Sequence, residues 1–70
     1  MLISKIGDCI KESPYSREYI RKKMKVSTNT LSNWSTGKSI PSAIQLFKLS
    51  RLLGKTVEDL YEYIEDEENR

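Results

Sequence analysis

Four hydroxyl residues, Ser16, Ser27, Ser42 and Thr56, each stand directly before a run whose apolar residues recur every three or four positions. A hydroxyl in that place can accept from a free amide at a helix start, while Gly and Pro suit helix ends. Pro14, Gly37 and Gly54 supply those ends. The punctuation leaves room for short helices and tight turns, and for little else.

Leu2, Ile3, Ile6, Cys9 and Ile10 fit a helical period and predict a first helix over 2–12. Pro14 closes it, because the residue before a proline avoids the helical region. SREYIRKKM predicts a second helix capped by Ser16, with Tyr19, Ile20 and Met24 apolar. A third runs from Ser27 to about Thr36, with Leu31 and Trp34 on its buried side and Gly37 at its end. Ser42 opens a fourth, in which Ile44, Leu46, Phe47, Leu49, Leu52 and Leu53 should supply most of the core. Thr56 opens a fifth through Val57, Leu60, Tyr61 and Ile64, fraying into EDEENR. No repeat, linker or strand of convincing length interrupts the pattern. The expectation is one all-α domain over residues 1–65, with motif helices at 16–24 and 27–36, and an acidic, frayed tail at 66–70.

Seventy residues bury only about 60% of their unfolded surface, so the core has to be well connected. Cys9 is the single cysteine and there is no His. That excludes an internal disulfide and Cys/His zinc or catalytic sites, and it fits a reducing cytoplasm. Cys9 reads as a small buried hydrophobe one turn from Ile6. No apolar run approaches the roughly 18 residues of a membrane span, and MLISKIGDCIKES is too polar for a signal peptide. With no phosphate-binding glycine loop and no paired carboxylates on a rigid face, the chain is expected to be no enzyme. It should need neither cofactor nor metal.

The net charge of +2 conceals an asymmetry. Residues 1–56 hold eleven Lys/Arg and three acids, a balance of +8, while 57–70 hold seven acids and Arg70, a balance of −6. Such a division fits an anionic partner for the body and a separate role for the end, or two ordinary solvated surfaces. Against it stands the window VSTNTLSNWSTG, twelve residues from Val26 to Gly37 without a charge. By composition alone, Ser, Thr and Asn favour a loop here. A helix of these residues has another use, since Asn suits adenine and Ser or Thr suit several bases in the major groove. Asn29 and Asn33, four apart, point the same way and opposite to Leu31 and Trp34.

From SREYIRKKMKVSTNTLSNWSTGKSIPSAIQLFKLSRLLGKTVEDL the chain resembles the helix-turn-helix domain of the Cro/repressor family over residues 15–61. The carriers are Ile20, Met24, Val26-Ser27, Leu31, Trp34, the Gly37-Lys38-x-x-Pro41-Ser42 turn, Leu46, Leu49, Leu53-Gly54 and Val57-x-x-Leu60. The resemblance implies a compact five-helix, lambda-repressor-like domain that binds double-stranded DNA as a repressor-like regulator. It puts Thr28, Asn29 and Asn33 at base-facing positions of the recognition helix, with Ser32 close by as a further candidate base contact. Ser16, Arg17, Thr36, Lys38 and Ser39 fall at positions that contact phosphate. Lys22, Lys23 and Lys25 read either as added attraction or as solvated charge. Three positions depart from the family: Arg21 replaces a small residue, Lys25 replaces a turn glycine, and Ser35 replaces an acid.

A dimer is implied by the same resemblance; helix 5 is its expected face, through Val57, Tyr61 and Ile64 with Tyr63 nearby, because Leu60 alone can satisfy the fold and leaves these side chains to find a partner. The alternative is that these residues cap the core of a monomer. The acidic end reads as a solubilising tail or as a contact for a basic protein partner. A protein-interaction module of the same fold is the rival reading, favoured by Arg21, Lys25 and Ser35.

Overall fold

The computed structural model describes residues 1–65. Five helices appear in order: α1 (Ile6–Glu12), α2 (Arg17–Met24), α3 (Thr28–Thr36), α4 (Ala43–Leu53) and α5 (Val57–Leu60). Two short strands, β1 (Leu2–Ser4) and β2 (Tyr61–Tyr63), flank them and pair with each other.

All four hydroxyl caps form. Ser16 Oγ accepts from the Tyr19 amide, Ser27 from Thr30, Ser42 from Gln45 and Thr56 from Asp59. At Ser42 and Thr56 the third helical side chain also reaches back to the cap amide, so two free donors are satisfied at once. Asp59 gains from this: its bonds to Thr56 hold its carboxyl below the usual carboxylate range.

Three helices end on a left-handed residue, Lys25 (φ 58°), Gly37 (φ 86°) and Gly54 (φ 67°). At Lys25 the left-handed turn lets the Val26 amide close on the Arg21 carbonyl at 3.2 Å. A side chain in that conformation costs about 1 kcal/mol or more. Lys25→Gly is therefore expected to stabilise the domain, by about 0.5–1 kcal/mol once the greater freedom of glycine in the unfolded chain is counted. A thermal melt checks it: the midpoint should rise by several degrees, and an unchanged or lower midpoint would show that Lys25 is unstrained.

The core draws on every helix. Ile6, Cys9 and Ile10 come from α1, Ile20 and Met24 from α2, Leu31 and Trp34 from α3, Leu49 and Leu53 from α4, and Leu60 from α5. Burial raises the Cys9 thiol pKa, consistent with its place among these side chains. Arg21 does not obstruct the motif. Its guanidinium swings outward to donate to the Glu18 carboxylate at 2.6 and 3.1 Å and to the Val26 carbonyl at 3.2 Å. That bonding holds the Glu18 carboxyl low. Ser35 packs where α1 and α3 approach, with a Cβ built on Gly7 meeting the Ser35 Cβ at 3.5 Å.

Three expectations need correction. The first helix starts at Ile6, because Leu2–Ser4 form a strand, and the fifth stops at Leu60, because Tyr61 turns extended at φ −140°, ψ 147°. The domain is thus not purely helical. Leu2 pairs with Tyr63, Ile3 with Glu62 and Ser4 with Tyr61. The third correction concerns α4, whose Ile44 and Phe47 are 69% and 64% exposed rather than core. Leu46, Leu49 and Leu53 make the stripe that faces inward, and a narrow helix cannot bury the opposite side as well.

Candidate nucleic-acid interface

The helix that the uncharged window forms is divided sharply by burial. Leu31 and Trp34 are 1% and 3% exposed and anchor α3 to the core. Thr28 and Asn29 are exposed in its first turn, and Ser32 and Asn33 are half-buried one turn on. The Ser27 cap fixes where the helix starts, with its hydroxyl also donating to Thr30 Oγ1 at 3.0 Å. Among the described residues, the side-chain amides of Asn29 and Asn33 have no hydrogen-bond partner within the protein. Both amides remain available to an outside ligand.

The end of α3 is tied differently. The Asn33 carbonyl accepts from the Lys38 amide at 2.9 Å and the Ser39 amide at 3.3 Å. Those two amides are committed to the helix end, so Lys38 and Ser39 can meet an anion only through their side chains. The Thr36 hydroxyl donates back to the Ser32 carbonyl at 3.1 Å, so it must rotate before it can donate outward. Ser16 is better placed, because its oxygen accepts from Tyr19 and leaves the hydroxyl proton free.

Arg17, on the first turn of α2, crosses to α3. Its guanidinium lies 3.4 Å from Ser32 Oγ and 3.5 Å from Ser35 Oγ. Sequence spacing gave no sign of this reach, which depends on how α2 and α3 cross. It likewise missed the stacked rings of Tyr15 and Tyr19, 4.9 Å apart with Lys23 Nζ 5.6 Å from the Tyr19 centroid. A four-residue spacing across the Ser16 cap was the available clue.

A helix-turn-helix family model matches residues 10–60. The chain belongs to the Cro/C1-type helix-turn-helix family. No curated protein matches it. Membership makes this a domain of DNA-binding transcription regulators, and the matched residues include α2 and α3.

Five acids gather away from α2 and α3. Asp8, Glu12, Glu58, Asp59 and Glu62 line an open hollow together with Lys5, Cys9, Lys55 and Tyr61, and none of the lining comes from α2 or α3. Ion pairs at 3.4 Å join Lys5 to Glu62 and Lys55 to Glu12. Among the described residues, no group of three or more His, Cys, Asp or Glu is arranged to hold a metal. No helix there is long and apolar enough to cross a membrane.

The residues expected at a dimer face do not share one helix. Val57 is on α5 and half-buried, Tyr61 begins β2, and Ile64 lies past β2 at 41% exposure. The Tyr61 hydroxyl is buried without a hydrogen-bond partner, and burial raises its pKa while Ser4 nearby partly offsets that. Ser4 Oγ already donates to the Trp34 carbonyl at 2.6 Å. The acidic tail expected to fray at 66–70, and the protein contact expected there, lie outside the described residues.

Proposed function

We propose that the protein is a repressor-like regulator that recognises a short operator in double-stranded DNA as a homodimer, with α3 in the major groove. The observation that carries this is the outward side of α3, where Asn29 and Asn33 present side-chain amides with no partner among the described residues. An amide pairs bidentately with the adenine edge, and the absence of acids on this helix spares it phosphate repulsion. Thr28 and Ser32 complete the base-reading set. Ser16, Thr36, Lys38 and Ser39 surround it as phosphate contacts, which position the helix without specifying sequence.

One domain touches few base pairs, and two copies spaced by about 34 Å would read successive grooves of a palindrome. Val57, Tyr61 and Ile64 are the proposed contacts between copies, and the exposed Tyr63 beside them adds apolar surface. The rival reading, a protein-interaction module, drew on Arg21, Lys25 and Ser35. Each is accommodated within the motif, so none of them favours it.

The test is selection from random duplexes of about 30 base pairs, long enough for two half-sites, at low and near-physiological salt. A palindromic motif enriched at both salts supports the proposal. Enrichment of nothing, with binding that vanishes as salt rises, would leave only an electrostatic surface. Lys38→Ala should weaken binding evenly across sequences and lower the slope of log K against log salt by about one. A changed sequence preference would give Lys38 a different role.

A further inference from the structure

We infer that Arg17 is a specificity-determining residue that reads a guanine, an inference resting on the DNA-binding function proposed above. The recognition helix, Thr28–Thr36, contains no Lys or Arg. Its Asn side chains suit adenine, and it lacks the group that most often reads guanine, a guanidinium against O6 and N7. Arg17 brings one to its flank from the neighbouring helix. The guanidinium rests beside Ser32, itself on the base-facing side, at 3.4 Å, and beside Ser35 at 3.5 Å.

Its bonding state suits the task. Glu18, the adjacent acid, is engaged by Arg21 at 2.6 Å and Lys22 at 3.9 Å. Among the described residues no carboxylate lies within ion-pair distance of Arg17. Both bonds that hold it are long and go to neutral hydroxyls, which bind a cation less strongly than a carboxylate does. An arginine has five N–H donors, so three are unused and two are weakly committed. A guanine edge needs two, in the parallel arrangement that a planar guanidinium offers. Ser32 and Ser35 thus aim the side chain along α3 without consuming it.

The experiment repeats the duplex selection with the full chain, Arg17→Ala and Arg17→Gln. The wild type should enrich a motif with one strongly preferred G·C pair in each half-site. Arg17→Ala should lose that preference by about 5- to 150-fold while the other positions keep theirs. Arg17→Gln should move the preference at the same position toward A·T, a switch that a merely structural role cannot produce. A variant motif unchanged in sequence, with uniformly weaker binding and a salt slope reduced by about one, would make Arg17 a phosphate contact only and overturn the inference. Unchanged affinity and motif would overturn it as well. A wild type that enriches no motif would instead defeat the DNA reading itself, and this inference with it.

Discussion

Trp34→Ala is expected to remove much or all of the domain's folding stability near room temperature. Trp34 is 3% exposed, and removing a buried tryptophan side chain costs about 3–5 kcal/mol. A domain of 70 residues has a total stability of roughly 4–10 kcal/mol, so one change removes much or all of it. The loss falls on the weakest element. Seven of the nine residues of α3 are Ser, Thr or Asn, which compete with the helical backbone for hydrogen bonds, apart from Leu31 and Trp34. Packing of those two side chains has to offset the poor propensity of the rest. Circular dichroism through a thermal melt reads the result: a broad, shallow transition, or a midpoint lower by more than about 12 °C, is expected. A drop of only a few degrees would mean that α3 is held mainly by something other than its core side.

Asn29→Ala should have the opposite profile, leaving the fold intact and damaging recognition. Asn29 is exposed, and its side chain has no hydrogen-bond partner among the described residues. Alanine is also the better helix former, so the melting midpoint should stay equal or rise slightly. Binding to the selected operator should weaken by about 1–3 kcal/mol for each half-site, with preference relaxed at one base position in each. Competition with single-substituted operators measures that relaxation. If the variant bound all sequences equally less well, Asn29 would be acting on the backbone rather than on a base. If it bound as well as the parent, the base-reading surface would have to be sought away from the start of α3.

The local signals in this sequence were strong where a few neighbouring residues decide the outcome. Ser16, Ser27, Ser42 and Thr56 mark helix starts because a cap is made by atoms three residues apart. Lys25, left-handed at φ 58°, was legible as a turn position only through the resemblance, which has glycine there. Distant pairing was hidden. Leu2, Ile3 and Ile6 continue the helical period of Cys9 and Ile10, and nothing nearby shows that β1 will pair with residues 61–63. Ile44 and Phe47 were misassigned because apolarity indicates a preference for burial, not whether a partner surface exists on that side of α4. The residue types of the proposed interface could be read directly. The route of the Arg17 side chain could not, since it depends on the crossing of two helices.

The pairing of β1 with β2 sets how the molecule would respond to tension applied at its two ends. The Met1 amine donates to the Ile64 carbonyl and the Ile64 amide to the Met1 carbonyl, both at 2.7 Å, and the Lys5 amide closes the ribbon on Leu60 at 2.8 Å. Because the strands are antiparallel, a pull that separates residue 1 from residue 64 loads these bonds one after another, as a zipper opens, rather than together in shear. The helices lie between Lys5 and Leu60 along the chain and would bear little load until the ribbon had parted. The mechanically weakest seam therefore lies outside the motif, and α2 and α3 would keep their mutual geometry through the first stage of extension.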